Sequence, residues 1–363
     1  MKTIEGLALN NADILPLGYF GERVFDEHCA NCHDNPQMHA PTREALAGFS
    51  LDTILTALKF GKMQPMAAHL NDIERGLVAV YLSGTESSDF DWMDAHACGE
   101  DGTGDSTGFS THWGIDPGNR RFAGSDVSNI TRDNVGDLEL AWALAFPKVT
   151  DMRSQPAVVG DTLYFGDKTG RLYAIDRTRG CVRTHTKVTS GIRSAITAVD
   201  ENTLVFADSL AVVYQVDAQT LDVRWRADMR LFSTSTITGS ISYHDGRLFV
   251  PISSYEVAAA GNPEHICCTT HGGVIALDLD TGDRLWEWHA TEDAVQQGVD
   301  RDGKPMYGPS GVSVWSTPTI DAARNRLYIG TAENLSHPAT DTSDAVIALD
   351  LNSGELLLKF QAT

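Results

Sequence analysis

Cys29-Ala30-Asn31-Cys32-His33 is the C-x-x-C-H signature of covalent c-type haem attachment. Two thiols one helical turn apart can form thioethers to the haem vinyl groups, and the histidine that follows supplies an axial imidazole. A zinc site would need a second ligand pair at fixed spacing, and a thioredoxin-like redox pair a surrounding βαβ pattern; the sequence offers neither. A second constellation runs from Pro251 to Trp288, with Glu256 after Ser253 and Ser254, then the adjacent pair Cys267-Cys268. Neighbouring cysteines are either two buried thiols or a disulfide closed in a strained ring, kept where something flat must lie against a rigid S–S face. Cys98 and Cys181 are left over and are free to pair with each other.

Helices must position the first constellation. Gly21 to His28 reads as a helix leading into the motif, and Leu51 to Phe60 carries apolar residues at three-to-four spacing. Gly61-Lys62-Met63-Gln64-Pro65-Met66 breaks that pattern, and a last helix is expected from Asn71 to Leu82, carrying Ile73, Leu77, Val80 and Tyr81. Residues 15–86, with this loop methionine and the ending VAVYLSG, resemble a class I cytochrome c. The resemblance implies a small all-α domain in which His33 and Met63 ligate the haem iron, with Met66 as the alternative to Met63. Residues 87–110, rich in Gly, Ser, Thr and Asp, read as an exposed tether to a second domain at 111–363.

That second domain is built of repeats. The pattern A-x-D-x-x-[T/S]-G-x-x-x-W is clearest from Ala276 to Trp286; looser copies begin at Ala174, Gln215 and Ala348, and Trp142 looks like the end of an earlier one. Strand pairs with turn signals precede each copy, as in PAVVGDTLYFGDKTGRLYAID. Such self-similarity in short antiparallel strands means propeller blades, about five by these signatures, with the tryptophan packing between neighbours.

PISSYE, CCTTHGG, GPSGVSVWSTPTID and GTAEN with SDAVIALDL resemble the quinohaemoprotein alcohol dehydrogenases, whose propellers have eight blades, and the polyvinyl alcohol branch in particular. The resemblance implies pyrroloquinoline quinone (PQQ) lying on Trp315 near Ser313, capped by a Cys267–Cys268 disulfide, with calcium on Glu256 and Glu333. Asn334 is the fallback for Glu333, and His271 stands where relatives carry an arginine toward a PQQ carboxylate. It further implies oxidation of polyvinyl alcohol or another secondary alcohol, with electrons leaving through haem c to a downstream acceptor. The family's general-base aspartate is expected beyond Thr363, so the chain reads as a fragment with no catalytic base assigned within it.

A net charge of −21 argues against nucleic-acid binding, and no apolar run is long enough to span a membrane. The N-terminus lacks a signal peptide's pattern, yet both cofactors imply the periplasm. The rival from another class is a non-catalytic electron-transfer or scaffold protein with a partial propeller, which would need neither the haem motif nor the cysteine pair.

Overall fold

The computed structural model describes residues 17–38, 40–83, 87–99, 109–110, 112–125, 128–147, 149, 152–260 and 265–362. Residues 15–16 and 84–86 of the expected haem domain and 100–108 of the expected tether lie outside that set. The chain divides into two compact units, Met1–Asp91 and Trp92–Thr363.

The first unit is helical: α1 (Leu17–His28), α2 (Ala30–His33), α3 (Arg43–Leu46), α4 (Leu51–Lys59) and α5 (Asp72–Ser83). Ser50 caps α4 by accepting from Thr53 N. Asn71 and Glu74 cap α5 reciprocally, each side chain accepting the other's backbone N–H at 3.0 and 2.8 Å. Where α1 crosses α5, a Cβ on Gly21 would stand 2.1 Å from Leu77 O, so only glycine permits this approach. Phe25, Ile54, Leu58, Leu70, Val78 and Leu82 fill the core.

Helix α6 (Ser87–His96) begins the stretch expected as a tether, and its described part is not one. Met93 is buried with Phe165 and Tyr173, Trp92 packs on Phe146, and Cys98 is disulfide-bonded to Cys181 with Cα atoms 5.0 Å apart. Polar composition hid the two apolar side chains that dock it.

The second unit is a series of antiparallel sheets. The first holds β1 (Phe109–Ser110), β2 (Ala157–Val159), β3 (Thr162–Gly166), β4 (Arg171–Asp176) and β5 (Val182–Lys187). The second holds β6 (Thr197–Ala198), β7 (Thr203–Ala207), β8 (Val212–Asp217) and β9 (Val223–Asp228). The third holds β10 (Ser235–Thr236), β11 (Ser242–His244), β12 (Arg247–Ser254), β13 (Gly273–Asp278) and β14 (Arg284–His289), with the short helix α7 (Glu256–Ala259) after β12. Then come the hairpin β15 (Val295–Val299) and β16 (Pro305–Gly308), followed by β17 (Ser310–Gly311), β18 (Thr319–Asp321) and β19 (Arg326–Gly330). β20 (Asn334–Ser336), β21 (Ala345–Asp350) and β22 (Leu356–Gln361) complete the series. β18, β19, β21 and β22 form the fourth sheet, and β17 pairs with β20.

Alternation along each strand serves both faces. Leu204 and Phe206 of β7 pack toward the first sheet's Tyr164, Leu172 and Ala174. Their neighbours Val205 and Ala207 pack toward Leu248, Val250 and Ile275 of the third. Phe249, Val274 and Ala276 then meet Leu327, Ile329 and Ile347 of the fourth.

The repeat pattern has a physical content. In all four copies the aspartate accepts backbone N–H groups two and three residues on, for example Asp278 from Asp280 and Thr281. The glycine that follows has positive φ and lies under the preceding copy's tryptophan: Trp142 on Gly180, Trp225 on Gly282, Trp286 on Gly354. Each indole N–H donates to the carbonyl after the repeat aspartate, at Arg177, Leu279 and Leu351. At the one junction without a tryptophan, where Thr184 stands, Tyr164 OH donates to the matching carbonyl of Ala218, and Leu221 replaces the glycine at φ 60°. Four sheets of four or five strands stand among the described residues, with two two-stranded pairs beside them. Trp142, expected to close an earlier copy, docks as the others do from chain that is paired in no sheet there.

Candidate cofactor sites

The C-x-x-C-H motif turns from α1 into α2, with Cys29 N bonded to Phe25 O and His33 N to Cys29 O. Both thiols are free and half-buried, and burial pushes the Cys29 thiol above its ordinary range. His33 is buried, and its Nδ1 lies 2.7 Å from Pro41 O; donating there leaves Nε2 to face a metal. Cys29, Cys32, His33, Met63 and Met66 line one pocket, with Leu58 and Leu70 on its apolar walls. Met63 packs against the core of this unit, whereas Met66 is 63% exposed. The residues fit a haem. Sequence reasoning missed Pro41, whose carbonyl gives no type signal, and the His28–His69 pair beside the motif, 3.1 Å apart.

The second site hangs on one short segment, residues 310–316. Gly311 N donates to Thr270 O and Gly272 N to Gly311 O, which ties the segment to the end of the cysteine-bearing loop. Val314 N donates to Ile252 O and Ser253 Oγ to Val314 O, which ties it to β12. Val312 N donates to Glu333 O on the other side. Backbone contacts therefore tie the segment that carries Ser313 and Trp315 to the backbone of Glu333, to the strand that precedes Glu256 and to the residues that follow Cys267-Cys268. Ser313 accepts from Ser254 N at 3.0 Å and keeps its own O–H to donate. Trp315 is 51% exposed although it follows buried Val314, so its ring presents an open face. Cys267 and Cys268 are joined as a disulfide, Cys268 fully buried and Cys267 half-buried. An open indole and a disulfide fit a flat tricyclic quinone.

Three expected roles meet resistance. Glu256 is 1% exposed, and protein donors surround its carboxylate. Thr269 N lies 2.9 Å from both oxygens, Thr270 N and Oγ1 at 2.8 and 2.6 Å from Oε2, and His265 Nε2 at 3.0 Å from Oε1. Calcium is held by a shell of oxygen acceptors; this shell is made of N–H and O–H donors, and it does not fit a cation. Asn334, the fallback, is committed to Ser310 O and to Thr340 N, while the Glu333 side chain is exposed. His271, 1% exposed, packs edge-on against Phe232 and His289, and its Nδ1 lies 2.8 Å from Gly272 O. Burial lowers its pKa, against the pull of Asp293 3.5 Å from Nε2, and so disfavours the charge that a substitute for an arginine would need. Among the described residues the one cluster of three metal-type side chains is Cys98, Asp176 and Cys181, where the cysteines are bonded to each other and Asp176 holds Arg179 and Arg183.

Fold and sites together define a c-type cytochrome unit followed by a propeller-type unit of PQQ repeats. The family model PQQ_2, described as outer membrane protein assembly factor BamB, matches residues 132–362, and the chain belongs to that repeat family. A second model, described as cytochrome C oxidase, cbb3-type, subunit III, matches residues 20–82. The chain is 31% identical over 360 residues to a polyvinylalcohol dehydrogenase of Sphingopyxis sp. (strain 113P3), covering 92% of this chain and 54% of that protein. A polyvinylalcohol dehydrogenase of Pseudomonas sp is 30% identical, with coverages of 93% and 56%. The chain thus spans about half the length of the curated relatives it matches. The expected likeness to the polyvinyl alcohol branch is borne out. Among solved structures, quinohemoprotein alcohol dehydrogenase from Comamonas testosteroni shares the fold at a TM-score of 0.53 and 20% identity, over 77% of this chain and 43% of that one. A europium-containing methanol dehydrogenase matches at 0.54 and 20%, over 70% and 49%.

Proposed function

We propose that this chain carries the cofactor machinery for oxidising a secondary alcohol, polyvinyl alcohol or a smaller one, with PQQ as first acceptor and haem c as the exit. The observation that carries the reading is the open face of Trp315 on the segment that also holds Ser313 and the end of the Cys267–Cys268 loop. When bound, PQQ takes two electrons from the alcohol carbon, and the haem passes them on one at a time. Trp315 would support one face of the quinone and the disulfide the other, while the Ser313 hydroxyl offers a donor at the edge. In the helical unit, Cys29 and Cys32 would hold the haem, His33 Nε2 and Met63 its iron, and the apolar walls would keep water from the metal. We read the four sheets as blades of an eight-bladed propeller. A disulfide between Cys98 and Cys181 together with covalent haem supports a periplasmic setting.

The test uses protein matured with haem, supplied with PQQ and then with a secondary alcohol, while the haem absorption bands are followed. Reduction that requires both PQQ and alcohol is the expected result. Haem that a chemical donor reduces but alcohol with PQQ does not, in protein that binds no PQQ, would contradict the reading.

A further inference from the structure

Glu256 opens α7 two residues past the end of β12, where the chain leaves the third sheet for the loop that returns at β13. The first two sheets have a carboxylate at the same kind of place. Asp167, after β3, accepts from Thr169 N and Arg171 N and takes the Tyr173 hydroxyl on its other oxygen. Asp208, after β7, accepts from Leu210 N and Val212 N and takes the Tyr214 hydroxyl. In both, a buried carboxylate gathers the amides of the returning chain and so fixes the turn. Glu256 does this across a longer gap: its oxygens gather Thr269 N, Thr270 N, Thr270 Oγ1 and His265 Nε2. The hydroxyl of Thr270 is also 2.5 Å from Ser254 Oγ and accepts from Thr234, and its carbonyl receives Gly311 N. The grip therefore runs from β12 through the cysteine loop to the segment carrying Trp315.

We propose that Glu256 is a positioning residue: its carboxylate clamps residues 265–270 so that the Cys267–Cys268 disulfide is held in place over the quinone site, and it is not a cation ligand. A cation at this carboxylate would meet N–H groups and would first have to displace them. The clamp stands on the hydrogen bonds alone; only the identity of what the disulfide covers rests on the reading above.

The experiment uses the full, haem-loaded chain and two readouts, each taken with calcium and with a calcium chelator. One is the rate at which mild reductant releases the Cys267 and Cys268 thiols, followed by mass spectrometry so that Cys98 and Cys181 are counted separately. The other is PQQ affinity from quenching of tryptophan fluorescence. Glu256→Gln turns one of the two acceptor oxygens into a donor facing donors, and Thr270→Val removes one donor while keeping the side-chain shape. Each is expected to speed thiol release about tenfold, the effect of losing one hydrogen bond to a charged group. PQQ affinity is expected to fall by a similar factor whether or not calcium is present. Release unchanged in Glu256→Gln, with affinity lost only in calcium, would make Glu256 a cation ligand and overturn the clamp. If the wild type binds no PQQ, the quinone reading fails, and thiol release still decides the clamp. If Glu256→Gln does not fold, Thr270→Val gives the same two outcomes.

Discussion

The connections that leave the middle strands of the first two sheets and those of the last two begin alike and end differently. Between β3 and β4, and between β7 and β8, the chain returns within a few residues, Asp167 to Gly170 and Asp208 to Ala211. Between β12 and β13 it travels from Tyr255 to Gly272, and between β19 and β21 from Thr331 to Asp344 with β20 on the way. The short turns spend their carboxylates on their own amides and a tyrosine, and nothing is left over. The long ones carry the disulfide loop and Glu333, and both bond to residues 310–316, where Trp315 lies. Repeats supply the scaffold, and in the proposed reading the expanded connections supply the chemistry.

Substitutions on the short side of this comparison should cost stability and leave quinone affinity alone. Asp208→Ala would orphan Leu210 N and Val212 N and leave the Tyr214 hydroxyl only its longer bond to Thr189; at about 1 kcal/mol per lost partner we expect a loss of about 2–3 kcal/mol in denaturant unfolding. A change in PQQ affinity there would break the division. Next in size is Gly282→Ala, which puts a side chain at φ 74° and 2.9 Å from the Trp225 ring, for about 2 kcal/mol by the same assay. Full stability in that variant would mean the tryptophan contact is slack.

The smallest effect concerns acid. Backbone N–H donation from Thr281 holds the Asp278 carboxyl below its usual range. Its contribution is therefore complete above about pH 4 and lost as pH falls through the folded value. Burial raises the Asp208 pKa, so its contribution has the opposite sign, present in acid and lost as pH rises through the folded value. Asp278→Asn should flatten the acid limb of a stability–pH curve, and Asp208→Asn should not. Equal curves for the two would show that the repeat turns and the strand-end turns titrate alike.

Much of this was legible because it depends on residue type at fixed spacing. C-x-x-C-H marked the residues that line one pocket with Met63, and T-G-x-x-x-W marked tryptophans that pack on the glycine of the next repeat. The Tyr164 substitute was not legible, because it sits on a different strand from the missing tryptophan and is joined to Ala218 only by the fold. The docking of α6 was hidden by Ser and Asp around Trp92 and Met93. Glu256 was singled out only as the calcium ligand that the resemblance implied, and its partners lie nine to fourteen residues further on in a loop without periodicity. The resemblance suggested a metal ligand; the donors around it do not.

The central claim, that quinone chemistry resides on the expanded connections, is tested most directly by titrating PQQ into the haem-loaded wild type, Trp315→Ala and a Cys267→Ser/Cys268→Ser double variant. We expect saturable binding to the wild type, weakened at least about tenfold in both variants, with unfolding midpoints close to wild type for Trp315→Ala because that ring is half exposed. Equal affinity in all three proteins would contradict it.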